Sequence, residues 1–403
     1  MTDAEIRPIT LDDDFGAQVD LGQRAFGIDT EQQKASWLYT ARLRASQGLF
    51  LGAFADGVPA GAAMVHDMRQ YWLGRAVPMA GIASVKVAPE HRGRGIGRAL
   101  MTEVLRLVDE RGYPLAALYP ATMPIYRSLG WELAGAKHRL TVPARSLLAL
   151  REPDEAASGG GAGHRDVPVR RAAPADAARV IKVIGDAYRA ACDAGPLTWD
   201  EGPAAQWLGR PGLYSYLAGD DGFAAYRWTE GGLWVDHVHA RTPETLRALW
   251  AVIASHCPVA DTVTGWISPN DPVWWLTAER DATITRRRMW MLRVVGAPAA
   301  IAARGFPQGL SVSVPVTVND KTRPANTGHW RLTVSDGKGE LIQNGSVSSP
   351  SPLTLGPRGL AALYAGTPVA ALRLAGLASG GTPEAEALLD AAFAATSYMV
   401  DDF

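Results

Sequence analysis

The sequence predicts an α+β protein of three successive domains, and three observations carry that expectation. Residues 81–131 spell a strand, a glycine loop, a helix, a second strand and a short helix. The same order returns in degenerate form after a glycine-rich stretch over 151–166. From Met291 the pattern changes to alternating strands followed by two helices. At 403 residues the chain is also too long for one ordinary core, so several cores are expected.

In chain order, residues 6–9 form a β-like run, and the acidic segment 12–14 offers carboxylates to the N-terminus of a helix running toward Phe26. Residues 31–45 place Trp37, Leu38, Ala41 and Leu43 among polar residues, which predicts an amphipathic helix. Two β-rich runs, 48–54 and 61–66, flank an Asp56-Gly57 hairpin signal. The second run continues to Tyr71 and Trp72, and Gly74 turns the chain back.

Residues 82–87 are apolar and rich in β-branched residues, and Pro89 and a glycine cluster stop them soon, as suits a buried strand. Gly93, Gly95 and Gly97 leave the backbone without Cβ atoms, so successive N–H groups can face one anion. They open into a helix whose dipole adds positive charge. The helix follows from Leu100, Val104, Leu107 and Val108 at helical spacing, with Gly112 and Pro114 as the stop. Residues 115–119 read as a buried strand and 124–129 as a short helix closed by Gly130 and Trp131.

The loop is a phosphate cradle, and two common ligands are disfavoured. A Walker loop needs a Lys followed by Ser or Thr, which is missing. A dinucleotide fingerprint starting at Gly93 would need a glycine where Arg98 stands, and no acidic residue ends the next strand. Arg92-x-x-Gly95-x-Gly97 resembles the (Gln/Arg)-x-x-Gly-x-(Gly/Ala) loop of the GCN5-related N-acetyltransferase (GNAT) superfamily, and that resemblance implies coenzyme A as the ligand.

Residues 138–142 are strand-like, and 151–166, with almost no large apolar residue, read as a linker. Residues 169–190 then echo the start of the chain. Residues 234–240 and a helix over 242–256 repeat the strand and helix of the cradle unit, but the loop RTPET has no glycine, and Thr242 with Pro243 caps the helix without a ligand. This is expected to be a second GNAT-like domain that has lost coenzyme A binding. His237 and His239 share a strand face, and without a third ligand nearby a structural or interface role is expected rather than a metal site. Residues 286–288, three arginines, read as a solvated strand edge or linker. Residues 292–295 open a third, α+β domain with a helix over 298–304, strands over 310–318 and 329–334, turns at Asp336-Gly337 and Asn344-Gly345, and helices over 357–363 and 383–393. Its order resembles a sterol carrier protein fold.

Composition bounds the function. Forty basic and forty-one acidic residues give a net charge of −1, which disfavours a nucleic acid partner. No eighteen-residue apolar run and no signal peptide is found, so no membrane partner and a cytosolic, cytoplasmic location are expected. Cys192 and Cys257 stand alone without a CxxC, which fits a reducing compartment and argues against structural zinc.

Across nearly its full length the layout resembles the Eis (enhanced intracellular survival) family of bacterial N-acetyltransferases. The residues that carry it are SVKVAPEHRGRGIGRAL, Tyr126 in PIYRSLGW, MLRVV before PAAIAARGFP, and the terminal Phe403. The resemblance implies domains over 1–150, 167–290 and 291–403, a homohexamer, and acetyl-CoA as cosubstrate with no metal. Val85, Lys86 and Val87 would hold the pantetheine arm through backbone, and Gly93, Arg94, Gly95, Ile96, Gly97 and Arg98 the pyrophosphate. Ala121 and Thr122 would lie beside the thiol, with Tyr126 as general acid. Residues 81–87 contain no carboxylate to act as the usual base, and the resemblance implies that the Phe403 carboxylate does so. Substrates would be amines such as aminoglycosides, other polyamines or lysine side chains. Trp37 is expected to pack in the core, with lining of an amine pocket as the alternative, and the charge of Asp401 and Asp402 would attract a cationic substrate. A lipid or sterol carrier, or a non-catalytic acetyl-CoA-binding regulator, is the competing reading; the intact cradle and Tyr126 in one chain favour the enzyme.

Overall fold

The structure, a computed structural model, describes residues 4–27, 30–151, 167–277, 281–343 and 352–403. All but the first residue of the expected linker, and the Asn344-Gly345 turn, lie outside the described residues. The first unit contains β1 (Glu5–Pro8), α1 (Phe15–Phe26), α2 (Glu31–Ser46), β2 (Phe50–Ala55), β3 (Val58–Trp72), β4 (Arg75–Val87), α3 (Ile96–Glu110), β5 (Leu115–Leu118), α4 (Pro124–Ser128) and β6 (Glu132–Pro143). Local chemistry sets its punctuation. The Asp14 carboxylate accepts from Gly16 and Ala17 N–H at the start of α1, and Thr30 with Gln33 forms a capping box on α2. Asp56 and Gly57 both take positive φ, as the hairpin between β2 and β3 requires.

The second unit runs β7 (Val169–Arg171), α5 (Ala177–Ala190), β8 (Ala194–Thr198), α6 (Glu201–Leu208), β9 (Leu213–Ala218), β10 (Gly222–Thr229), β11 (Gly232–His239), α7 (Pro243–Ala254), β12 (Thr262–Ile267) and α8 (Val273–Leu276). Thr242 caps α7 by accepting from Thr245 N–H, with Pro243 in the first turn.

The next strand, β13 (Thr283–Val294), corrects the expectation for this stretch. It does not open the third domain but inserts into the first unit's sheet between β5 and β6, pairing Met291 with Leu118 and with Leu133. The arginines at 286–288 are exposed residues of this strand, paired to β6 on one side and, since β5 pairs only from Met291 to Val294, open on the other, so of the two expectations the solvated strand edge holds and the linker does not. Strand pairing across more than 140 residues leaves no mark on local periodicity. One sheet results, ordered β1-β2-β3-β4-β5-β13-β6-β12-β11-β10-β9-β7, with β8 paired to β3. The first two units are thus fused edge to edge.

The third unit comprises α9 (Ala297–Ala303), β14 (Val312–Val318), β15 (Gly328–Ser335), β16 (Lys338–Gln343), β17 (Leu353–Leu355), α10 (Pro357–Tyr364), α11 (Val369–Leu374), β18 (Ala378–Ser379) and α12 (Pro383–Phe393), around a sheet ordered β16-β15-β14-β17-β18. It shares its core with the others: one apolar cluster joins Met79 and Leu115 to Leu197, Trp290, Val314 and Leu389. Arg304, fully buried, donates to the carbonyls of Tyr364 and Phe393, the last residues of α10 and α12. A cation at two helix C-termini is well placed, although burial lowers its pKa to about 10. It fixes the point from which the chain end departs. Among the described residues no helix is long and apolar enough to cross a membrane.

Candidate active site

β4 and β5 are parallel and pair only from Met79 to Gly81 against Leu115 to Ala117. Beyond Gly81 they part. A bulge at Ser84, where φ is +50° and the register against β3 slips by a residue, turns β4 away. The backbone of Val85, Lys86 and Val87 is left facing the split with no strand partner on that side among the described residues. The Lys86 side chain goes the other way: it is buried, its Nζ donating to Gln18 O at 2.6 Å and lying 4.5 Å over the Trp37 ring. Only its backbone is available to a ligand in the split.

Gly93 and Gly95 take φ of +77° and +83°, and Gly95 is the N-cap of α3. Both adopt the left-handed conformation that glycine accepts freely, which turns the loop so that the first N–H groups of a fifteen-residue helix stand open. At Gly97 a Cβ would come within 3.1 Å of Ile125 Cδ1, so this glycine serves close packing of α3 on α4. Arg94 is exposed, Arg98 Nη1 donates to Ser128 Oγ at 3.0 Å, and Ala121 and Thr122 lie on the exposed loop between β5 and α4. The cradle fits a pyrophosphate by donor chemistry and by the absence of side chains. Gly95→Val is expected to lower acetyl-CoA affinity at least tenfold without unfolding the protein, read by calorimetry and a thermal melt. Undiminished affinity in a folded variant would remove the cradle assignment.

Tyr126, on α4, is buried in the cluster that contains Ala80, Ile82 and Leu118 from both sides of the split. Its ring meets Trp131 edge-on at 6.3 Å, and among the described residues its hydroxyl has no hydrogen-bond partner. Burial pushes its pKa up to about 12.

The chain end reaches the same split. Ser397 and Tyr398 bridge Ala194 of β8 and Ala136 of β6, with Tyr398 N–H donating to Ala194 O at 2.9 Å. Two glycines admit it. A Cβ at Gly135 would stand 2.5 Å from Ser397 O, and one at Gly195, whose φ is +100°, 2.3 Å from Tyr398 O. Tyr119 donates to Asp401 O at 2.7 Å. The Phe403 ring lies 5.7 Å from that of Tyr119 and packs on Gly81, where a Cβ would be 2.9 Å from Phe403 Cδ2. Gly81 is the last residue of β4 paired to β5, so the Phe403 ring sits where these two strands part. Gly195→Ala is expected to cost about 1–3 kcal/mol of stability and to lower turnover by displacing the tail, checked by denaturant unfolding and initial rates. A variant as stable and active as the parent would show that the tail does not need this seat.

The two carboxylates before Phe403 are not free to attract a cation, which corrects the expected role of Asp401 and Asp402. Asp401 is buried and ion-paired to His237 Nε2 at 3.1 Å. Asp402 is held by Lys137 Nζ at 2.5 Å and Arg288 Nη1 at 2.7 Å. They anchor the terminus instead.

Around Phe403 opens a chamber of about 930 Å³ between the first two units, with Trp37, Trp199, Trp207, Trp228, Trp234 and Trp266 in its walls. Asp236 in the wall faces Arg227 at 3.5 Å, and His66, brought to a pKa of about 3 by burial and the Arg44 charge, is neutral. Trp37 Nε1 donates to Ser84 Oγ at 3.2 Å, which places that residue beside the bulge. Sequence reasoning missed Tyr119, Lys137, Arg288, Trp199 and the contact of His237, because each comes from a different element. Thirteen tryptophans in the chain were the one signal that could have drawn attention to the chamber.

Family models described as an acetyltransferase (GNAT) domain match residues 5–134 and again 196–294, and one described as a sterol carrier protein domain matches 297–400. The N-acetyltransferase Eis of Mycobacterium tuberculosis is 33% identical over 363 residues, which cover 85% of each chain. An uncharacterized N-acetyltransferase of Streptomyces avermitilis is 28% identical over 378 residues, covering 88% of each. Among solved structures, a GCN5-related N-acetyltransferase from Kribbella flavida superposes with a TM-score of 0.91 at 42% identity, covering 100% of this chain and 99% of that one. Eis1 from Mycobacterium abscessus, at 23% identity and TM-score 0.76 over 99% of this chain and all of that one, shares the fold.

Proposed function

We propose, from the premise that this chain belongs to the Eis family of N-acetyltransferases, that it acetylates a small-molecule primary amine bound in the tryptophan-walled chamber. GNAT acetyltransferases use acetyl-CoA, which supplies the activated acyl group as a thioester. The single observation that carries the reading is the meeting at Gly81: the split between β4 and β5, and the chain terminus, converge on one residue.

The backbone N–H groups from Gly93 to Arg98 would hold the pyrophosphate on the positive end of α3, and Val85, Lys86 and Val87 would align the pantetheine arm through backbone. Ala121 and Thr122 would flank the thiol. The Tyr126 hydroxyl, protonated and without a partner among the described residues, is the donor for the departing sulfur. β4 carries no carboxylate, so the Phe403 terminal carboxylate is the base that takes the ammonium proton of the amine, directly or through water.

The chamber also bears on the amine. Asp401, Asp402 and Asp236 each face a cation, which leaves the exposed Asp67 and the chain terminus as the wall's carboxylates without an ion pair among the described residues, few for a polycation such as an aminoglycoside or a polyamine. Six indoles favour one ammonium on an apolar or aromatic body, through burial and cation–π contact. The test follows thiol release from acetyl-CoA against a panel of monoamines, polyamines, aminoglycosides and lysine peptides. Amine-dependent release supports the enzyme; tight acetyl-CoA binding with no release for any amine would overturn it.

A further inference from the structure

The second unit has no glycine loop, yet it keeps the geometry of a cofactor cleft. β11 and β12 run parallel and pair only from Gly232 to Val235 against Thr262 to Gly265, then part, as β4 and β5 do. The cavity in that split is lined by His237 and His239 on one strand and by Tyr398 and Val400 of the chain's own tail. His237 Nε2 faces Asp401 at 3.1 Å, and His237 Nδ1 lies 3.1 Å from His239 Nε2, itself 3.5 Å from the Tyr188 hydroxyl. The other oxygen of Asp401 is buried with no partner among the described residues. The carboxylate therefore depends on His237.

We propose that the vacated cleft of the second unit is a clamp for the chain end, in which His237 is a positioning residue that holds Asp401 and thereby sets the Phe403 carboxylate at the substrate amine. This rests on the terminus being the base. Two residues separate the clamped side chain from the terminal carboxylate, and Tyr119 and the Asp402 cations hold the intervening backbone, so a shift at Asp401 passes to Phe403. A misplacement of about 1 Å at a reacting group costs on the order of a hundredfold in rate.

The clamp is also pH-sensitive, and its surroundings fix the sign. His237 faces Asp401 from the tail, Asp236 and His239 from its own strand, and the uncharged rings of Trp199, Trp207 and Phe223. Asp236 is shared with Arg227 of β10, and Tyr188 of α5 stands behind His239. Desolvation draws the His237 pKa down, but the Asp401 charge and hydrogen bond, with Asp236, outweigh it and leave it raised. Burial, and then His237, holds His239 far below its ordinary value, so it stays neutral and accepts from His237 Nδ1–H. A raised pKa means that the pair is fully formed below about pH 6.5 and is lost as pH rises through the folded value. The neutral ring can still present Nε2–H to Asp401, so turnover should gain only a shallow alkaline limb, a few-fold fall, on top of the rise that amine deprotonation gives.

Two substitutions test this. His237→Ala is expected to lower kcat by about 10- to 100-fold with acetyl-CoA affinity unchanged. His237→Gln places an amide N–H near the Nε2 position, so kcat should return to within a few-fold of the parent while the alkaline limb disappears. A folded His237→Ala protein with parental kcat, or a Gln variant that rescues nothing, overturns the clamp. Should the alanine variant not fold, His237→Leu, which fills the site without a donor, and Asp401→Asn alone and together read the same contact: non-additive losses in kcat support it and additive ones refute it. The clamp stands only if extending the chain beyond Phe403 also lowers kcat. Loss on extension with none at His237 removes the clamp alone, whereas no loss on extension removes the terminal base and the clamp together.

Discussion

Extending the chain beyond Phe403 by a short tag is expected to lower turnover by about two to four orders of magnitude while acetyl-CoA affinity is kept. An amine with a pKa of about 10.4 is almost wholly protonated at neutral pH, and reaching the free base costs roughly 4 to 5 kcal/mol. A carboxylate near about 3.5 in water is a weak base, so its contribution rests on being held at the amine in fixed geometry, with the proton passing directly or through one water. The tag moves the charge and leaves the ring on Tyr119 and Gly81, so lost packing cannot account for a large effect. The check is kcat for tagged and untagged protein, with the tag confirmed by intact mass. Full activity of the extended protein would exclude the terminus from the chemistry.

Tyr126→Phe should cost on the order of a hundredfold to ten-thousandfold in kcat, with little change in acetyl-CoA affinity or melting temperature. The substitution keeps the ring against Trp131 and deletes a hydroxyl that bonds nothing else among the described residues, so it strands no buried partner. The burial that raises the phenol to about 12 guarantees the protonated donor through the working range. It also makes the phenol a weaker acid than one in water. A thiol near about 8.5 lies roughly three to four units below it, so the hydroxyl would stabilise charge growing on sulfur by hydrogen bonding before the proton moves. Because the folded value is raised, kcat should show no loss of this donor below about pH 10. Near-parental turnover in the phenylalanine variant would rule the role out.

Much of the first unit was legible because its signals are local. The Asp56-Gly57 turn, the glycines at 93 and 95 with positive φ, the periodicity of α3 and the Thr242 cap each act within a few residues, and each is where the sequence put it. The second GNAT-like unit and the glycine-free, Thr242-capped start of its helix were readable, whereas the split between β11 and β12 was not. The third unit was legible in its alternation and its Asp336-Gly337 turn. What could not be read was partnership. Three separate cores were the natural expectation, but β13 crosses into the first sheet and one apolar cluster spans all three units.

Residue type at a short fixed spacing was enough to read the glycine loop ahead of α3, Tyr126 and the strand without a carboxylate. Tertiary structure alone decided where the last residues go and what they do. Asp401 and Asp402 read as lures for a cation when only their charge is known. Set in the fold they meet His237 from the second unit and Lys137 and Arg288 from β6 and β13, and their charge is spent on anchoring Phe403. The reason is physical: a side chain's type sets which interactions it can make, but which partner it meets depends on long-range pairing and on the space that Gly135 and Gly195 leave for the tail.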